Sequence, residues 1–247
     1  MTVYVTGDVH GRAEYGSSRF AFKSWPLGRT LTRDDAVIVA GDFGFVWDGS
    51  NTERYWLDWF ESKPWTTCFV DGNHENHHAL AGLPVLEWNG GLVHEARPHV
   101  LHLMRGEVFD IDGLTVLAMG GAASNDRQYR REGRSWWPEE MPSEKETEHC
   151  RSSLNRVGWK VDCVVTHEAP APLLRCCAGS ADASIGATDF SDSLPSSTTG
   201  SATEPGSSAT TTVTSGVTTG TVWSIETSCR SKVLRPALSS RNPLEML

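Results

Sequence analysis

The sequence predicts a layered α/β fold that brings polar residues from several strands together at one edge of a sheet. Two observations carry this prediction. Short β-branched runs end at Gly-Asp or at histidine, and segments with helical spacing lie between them. Layered α/β enzymes present their sites at the carboxyl ends of strands. We therefore expect the function of this chain to lie at that edge.

Four of the predicted strands run directly into polar motifs. Val3–Thr6 and Ala36–Ala40 each stop at Gly-Asp. Cys68–Val70 continues into Asp-Gly-Asn-His, and Val161–Thr166 continues into His-Glu. Short apolar runs rich in β-branched residues are typical of buried strands. The four strand ends are the first candidates for a shared site.

The segments between these strands complete the α/β pattern. Asn51–Glu61 is predicted to be a helix because its aromatic residues recur at helical spacing. Ser143–Val157 is predicted to be a second helix, because it opens with the capping-box pattern Ser-Glu-Lys-Glu. Further strands are predicted at 100–104, 107–111 and 114–119, with an Asp-Gly hairpin turn at 112–113.

Composition restricts the functional class. The formal net charge of −9 argues against a broad basic surface, so we expect no extended nucleic acid among the partners. No run of about eighteen apolar residues and no basic-then-apolar start occurs, so we expect neither a membrane span nor a secretory signal. The six cysteines show no zinc-site spacing, which favours reduced thiols in a cytoplasmic protein.

The composition changes near Ser196. Between Ser196 and Thr221, 16 of 26 residues are Ser or Thr. Such a segment has too few large apolar residues to form a packed face. We therefore divide the chain into a folded domain at 1–190 and a low-complexity tail at 191–247, predicted to be aberrant or disordered.

The strand-end motifs have the chemistry of a metal site. In order they are Gly-Asp-Val-His-Gly at 7–11, Gly-Asp-Phe-Gly at 41–44, Gly-Asn-His-Glu at 72–75 and Thr-His-Glu at 166–168. Two divalent cations about 3.5–4 Å apart need a bridging carboxylate and separate ligands on each side. A mixture of carboxylate, imidazole and amide ligands suits manganese, iron or zinc better than calcium.

This motif series is similar to that of the calcineurin-like metallophosphoesterase superfamily, over roughly residues 1–190. The resemblance implies a four-layer α/β/β/α sandwich and two divalent metal ions. It implies that Asp8 and His10 bind the first metal and that Asp42 bridges both. It implies that Asn73 and His167 bind the second.

The same resemblance implies hydrolysis of a phosphate mono- or diester by a metal-bridging hydroxide. His74 would then be catalytic rather than a ligand, stabilising the transition state or protonating the leaving oxygen. We expect Glu75 to orient its loop. Either Arg127 or Arg130 would hold the substrate phosphate, the alternative being a solvated loop. The expected partner is a small phosphate ester or a phosphoprotein.

The family pattern ends in Gly-His-x-His, and this chain has no histidine after His167. Each metal would therefore be one protein ligand short, so a catalytically impaired remnant or binding module is the alternative function. A frameshift in the gene or its sequencing, between His167 and Ser207, would explain the absence. The codons of 208–212, read one base earlier, can encode Phe-Gly-His-Tyr-His. The nucleotide sequence tests this hypothesis.

Overall fold

The computed structural model describes residues 2–11 and 17–168, together with the backbone of three later strands. Three α-helices occur in this part of the chain: α1 (Asn51–Glu61), α2 (His77–Ala81) and α3 (Glu144–Arg156). The strands described are β1 (Val3–Thr6), β2 (Ala36–Ala40), β3 (Thr66–Val70), β4 (Val85–Trp88), β5 (Gly91–Arg97), β6 (Val100–Leu103), β7 (Val108–Ile111), β8 (Leu114–Met119), β9 (Cys163–Thr166), β10 (Thr211–Val213), β11 (Val222–Ser228) and β12 (Ser231–Pro236).

The strands form two sheets. The larger has the order β12-β11-β1-β2-β3-β6-β5-β4, and the smaller has the order β10-β9-β8-β7. Strands β1, β2, β3 and β6 pair in parallel, as do β8, β9 and β10. The carboxyl ends of β1, β2, β3 and β9 are the positions from which the sequence motifs continue.

The core has three apolar interfaces, which define four layers. Between the sheets, Val5, Ile38 and Val70 share one buried cluster with Val116 and Val165. A second cluster packs the outer face of the larger sheet against α1 and the aromatic 17–30 segment. A third packs the outer face of the smaller sheet against Cys150 and Leu154 of α3. The predicted four-layer α/β/β/α sandwich is therefore confirmed.

Local signals read from the sequence are also found in the structure. The Ser143 hydroxyl accepts a hydrogen bond from the Glu146 backbone N–H, and the Glu146 carboxylate accepts one from the Ser143 backbone N–H. The predicted capping box at the start of α3 is therefore confirmed. Asp112 and Gly113 both have positive φ, at 59° and 73°, between the paired residues Ile111 and Leu114. That geometry is the predicted two-residue hairpin turn.

The hairpin of β4 and β5 was not predicted. Its strands leave one face exposed, and the β4 burial alternates between intermediate and exposed, so the apolar signal is weak. The usable signal was the Asn-Gly pair at 89–90, where φ is 48° and 85°. Asn-Gly between two extended segments is typical of a tight hairpin.

The tail predicted to lack structure falls largely outside the described residues. Within it the structure gives the backbone of β10, which pairs with β9, and of β11 and β12, which extend the larger sheet beside β1. Among the residues described, no helix is both long and apolar enough to span a bilayer. The side chains of Cys68, Cys150 and Cys163 are buried.

Candidate metal centre

The loops after β1 and β2 are fastened to each other by their backbones. The Asp42 carbonyl accepts from the N–H groups of Val9 and His10, at 3.0 and 2.6 Å. Gly11 donates to the Phe43 carbonyl at 2.9 Å. A Cβ on Gly11 would overlap the backbone of Gly44, so a larger residue cannot occupy this crossing. The first two motifs therefore form one rigid unit.

Asp42 lies at the centre of this unit. It is 2% exposed, and its Oδ1 accepts from the His74 backbone N–H at 2.8 Å. The same oxygen lies 3.4 Å from His167 Nε2, while Oδ2 lies 3.3 Å from His10 Nδ1. Each imidazole contact is beyond the usual hydrogen-bond distance. One carboxylate thus faces two imidazoles from separate loops without being saturated by either.

Asp8 and His10 lie on one side of Asp42. His10 Nε2 is 3.4 Å from Asp8 Oδ2, and His10 is exposed. The backbone carbonyl of Asp8 is held by the buried Arg19 guanidinium, which also contacts Gly7 O and Thr6 Oγ1 at 2.9 and 2.8 Å. Burial lowers the pKa of Arg19, and the Asp8 charge opposes that shift. Sequence reasoning missed Arg19 because it lies outside every motif.

Asn73 and His167 lie on the other side. His167 Nε2 is 3.3 Å from Asn73 Oδ1, and its Nδ1 is 3.1 Å from the Ala40 carbonyl. Added Cβ atoms on Gly41 and Gly72 would both collide with the His167 ring. The glycines of the second and third motifs therefore make room for an imidazole from the fourth. The structure brings Asp8, His10, Asp42, Asn73 and His167 together.

Two of these residues have strained backbones. His10 and Asp42 adopt positive φ, at 56° and 48°. Non-glycine residues rarely adopt this conformation, and such strain concentrates at functional sites. Here it turns both side chains off the strand direction and toward each other.

His74 and Arg130 lie beside this group. The His74 and His10 rings meet edge to face with centroids 5.0 Å apart. Arg130 donates to His74 Nε2 at 2.9 Å and is itself held by Asp126 at 2.7 Å. Burial lowers the pKa of His74, the Asp42 charge opposes that shift and the Arg130 charge adds to it.

Arg127, the other arginine considered for substrate, has a different environment. Its guanidinium lies 4.1 Å from the centroid of the Trp136 ring, and the residue is exposed. Arg130 is therefore the arginine that the structure places against the predicted site. Glu75 is fully buried and accepts from the N–H groups of Phe43 and Gly44, which is the orienting contact expected of it. Burial, with the charges of Asp42 and Asp71, raises the pKa of Glu75 well above its usual range.

The residues present fit a divalent cation. Asp8 Oδ1 is buried and has no hydrogen-bond partner among the described residues. His10, Asp42 and His74 each offer a ligand atom, and these atoms lie within 4.8 Å of one another. Buried carboxylate oxygens without a donor are destabilising unless a cation or solvent compensates them. The inclusion of His74 in this group contrasts with its predicted role as a residue that binds no metal.

A cavity of about 490 Å³ adjoins this site on the far side of Asp71. Its lining includes His77, His94, His102 and Arg105, none of which belongs to the predicted site. Asp71 receives two hydrogen bonds from Arg105, one of 2.9 Å from Nε, and one from His102 Nε2 at 3.1 Å. No local sequence motif pointed to Arg105, which lies 34 residues away.

Comparison with known proteins identifies the family of this chain. A comparison with curated proteins finds no match. The family model described as calcineurin-like phosphoesterase matches residues 1–176, which indicates a phosphoester hydrolase that uses divalent metal ions. Because the match covers well over half of the 247 residues, the chain belongs to the calcineurin-like phosphoesterase family.

Proposed function

We propose that this protein hydrolyses phosphate mono- or diesters at a binuclear metal centre. The observation that carries the proposal is the buried Asp42 carboxylate, whose two oxygens face imidazoles from two different loops. A carboxylate shared in this way is the bridging ligand that a two-metal site requires.

The position of each candidate ligand relative to Asp42 determines to which ion we assign it. Asp8, His10 and Asp42 would hold one ion, and Asn73, His167 and Asp42 would hold the other. The N/O donor set favours manganese, iron or zinc. When bound, the two ions supply Lewis acidity, which lowers the pKa of water and neutralises charge on the phosphoryl oxygens.

His74 and Arg130 would act on the substrate. A guanidinium can only donate, so Arg130 requires His74 Nε2 to be the acceptor, and the proton of the neutral ring lies on Nδ1. That N–H is the one available to donate a hydrogen bond to the leaving oxygen and stabilise the transition state. The remaining N–H groups of Arg130 match the geometry of phosphate oxygens. Asp126 holds the guanidinium in place for this contact.

The substrate class follows from charge. A net charge of −9 gives extended nucleic acid no general attraction, so specificity must come from local groups such as Arg130. A small phosphate ester or a phosphorylated side chain of a protein meets this requirement.

A second candidate function is a binding module or catalytically impaired remnant. The observation that favours it is the lack of any histidine after His167, which leaves each ion without its last family ligand. Such a chain would still bind a metal ion or a phosphate compound but would not hydrolyse a phosphate ester.

Metal content and hydrolysis together test both proposals. The full chain, stripped with a chelator and then given MnCl2, should bind two manganese ions. It should release nitrophenol from p-nitrophenyl phosphate or its bis ester only when manganese is present. Bound manganese without hydrolysis would favour the binding module, whereas absence of both would refute the metal centre.

The role of His74 has its own test. His74→Ala should lower kcat by about 10²–10³-fold, the usual contribution of one hydrogen-bond donor to the transition state. Because we assign it no metal, the variant should still bind two manganese ions by elemental analysis. His78→Ala, at an exposed histidine nearby, is the matched control and should change neither. Loss of one ion in His74→Ala would instead make His74 a ligand.

A further inference from the structure

The side-chain amide of Asn73 can serve a metal in only one of its two orientations. Its carbonyl oxygen is a ligand for a divalent cation and its NH2 group is not. The two ends have the same shape, so packing alone cannot choose between them. Something with a defined hydrogen-bond polarity must therefore hold the amide.

Ser124 is in contact with that amide. Asn73 Nδ2 donates to Ser124 Oγ at 3.2 Å, which turns Oδ1 toward His167. Ser124 belongs to the segment after β8, 51 residues away in sequence, and is 5% exposed. A hydroxyl has one proton and two lone pairs, so the use of that proton decides what Ser124 can offer to Asn73.

The Ser124 hydroxyl donates its hydrogen bond to Glu140. Its Oε2 accepts from Ser124 Oγ at 2.7 Å, and its Oε1 accepts from the Ser124 backbone N–H at 3.0 Å. Glu140 is 1% exposed. With the proton committed to this carboxylate, only lone pairs of Ser124 Oγ remain for Asn73. An inverted amide would place its oxygen against those lone pairs with no proton between them.

The turn that carries Glu140 is itself fixed to the third motif. Arg105 donates to the carbonyl oxygens of Glu139 and Glu140, at 2.9 and 3.1 Å. The same guanidinium is paired with Asp71, two residues before Asn73. The Asp71 carbonyl also accepts from Gly121 at 2.9 Å. Glu140 and Asn73 are thus held at a constant separation.

We infer that Ser124 and Glu140 are positioning residues that orient Asn73, so that its carbonyl oxygen and not its NH2 group faces the metal centre. The inference rests on the proposed metal-binding role of Asn73. It assigns a function to two buried polar residues that lie outside the strand-end motifs. The chain needs this device because the two ends of the amide differ in chemistry but not in shape.

The test compares Ser124→Ala in two backgrounds of the full chain. In the wild type, this change should weaken manganese binding at one of the two ions by about 10–100-fold, as loss of a partner that orients a ligand does. In Asn73→Asp, both ends of the side chain are oxygens and orientation no longer matters. There, Ser124→Ala should cause no loss of manganese affinity by isothermal titration calorimetry.

Glu140→Gln gives a second, nearly isosteric test. Glutamine can offer an N–H to Ser124 Oγ, which frees the hydroxyl proton to point at Asn73 and favours the inverted amide. Manganese affinity should fall in this variant while the melting temperature without metal stays close to that of the wild type.

The outcomes separate the inference from the proposed function. An equal loss of affinity in both Asn73 backgrounds would reveal a general structural role for Ser124 and overturn the inference alone. So would an unchanged affinity for Ser124→Ala in the wild type. A wild-type protein that binds no manganese would overturn the inference and the metal centre together.

Discussion

Asp42 and Asp71 follow neighbouring parallel strands of one sheet, yet their surroundings are opposite. Both are buried, at 2% and 1% exposure. Asp71 accepts from Arg105 and from His102, so a cation and an imidazole saturate it. Asp42 accepts from one backbone N–H and otherwise faces imidazoles at 3.3 and 3.4 Å. Among the residues that the structure describes, the hydrogen bonding of Asp71 is complete and that of Asp42 is not.

The backbone explains why the two carboxylates diverge. Asp71 comes directly after β3 and continues its alternation, so it joins Phe69 on the outer face, where His102 lies. Gly41 and Asp42 instead leave β2 with positive φ, at 93° and 48°, which turns Asp42 across the strand ends. The role of an aspartate at a strand end therefore depends on the face of the sheet to which its side chain turns. Where a cationic side chain lies on that face, the carboxylate forms a structural ion pair; where none does, it can bind a metal.

The pKa of Asp71 reflects this completeness. Burial by itself raises the pKa, but the Arg105 charge and the His102 hydrogen bond outweigh it and hold the pKa well below its usual range. Asp71 therefore stays ionised without an external cation. The comparison predicts that changes at Asp42 affect metal and activity, while changes at Asp71 and its partners affect stability.

The largest expected effect is at Asp42. Asp42→Asn removes the charge that the two proposed ions would share, so it should abolish phosphoesterase activity, a larger loss than the one expected for His74→Ala. Manganese content and hydrolysis of the aryl esters measure it. Asp58→Asn, an exposed carboxylate on α1, is the control and should match the wild type. Full activity in Asp42→Asn would refute the bridging assignment.

The next effect is on stability and comes from Arg105. Arg105→Met leaves the buried Asp71 charge without its partner, which costs about 3–5 kcal/mol. At about 2–4 °C per kcal/mol, the melting temperature should fall by roughly 6–20 °C. Below that temperature, the variant should still bind manganese, but with reduced affinity, because Arg105 also anchors the Glu140 turn that positions Asn73.

A double variant checks the cause of that loss. Asp71→Asn combined with Arg105→Met removes both charges, and part of the lost stability should return because no unpaired charge remains. If the double variant is less stable than the wild type by the sum of the two single effects, the two residues are not a coupled pair. The comparison with Asp42 would then lose its basis.

The candidate site could be located from the sequence because the signals for its residues are local. Each predicted ligand follows a short strand or stands next to a glycine, and those signals are readable within a few residues. Arg105, Ser124 and Glu140 could not be identified in this way, since each acts on a residue at least 16 positions away. Nor could the run Asp71-Gly-Asn73 reveal which of its polar residues faces the metal centre, because that depends on Arg105.

The same distinction between local and distant signals decides which parts of the fold could be predicted from the sequence. Strands buried on both faces, such as Ala36–Ala40, were readable as continuous apolar runs. The hairpin of β4 and β5 has an exposed face, and its one strong signal is the turn. The Ser/Thr-rich segment gave no pattern from which β10 could be predicted, and β10 and β11 pair with β9 and β1, which lie far away in the chain.

The smallest effect we predict is a dependence of stability on pH that arises from the histidines beside Asp71. His102 donates through Nε2 to Asp71, so its Nδ1 accepts from the Nδ1–H of His94, 2.9 Å away. Burial and the neighbouring His102 lower the pKa of His94 to about 4, while the Asp71 charge opposes the shift.

The sign follows from the two pKa values. In the unfolded chain His94 titrates near its usual value of about 6.5, so between that pH and about 4 the unfolded state binds more protons than the folded state. Stability must therefore fall as the pH falls through this window. In His94→Gln the decline of melting temperature between pH 6.5 and 4 should be shallower than in the wild type, whereas His78→Gln, at an exposed ring, should reproduce the wild-type slope. An unchanged slope in His94→Gln would mean that the acid sensitivity arises elsewhere, and that the network around Asp71 tolerates a second positive charge after all.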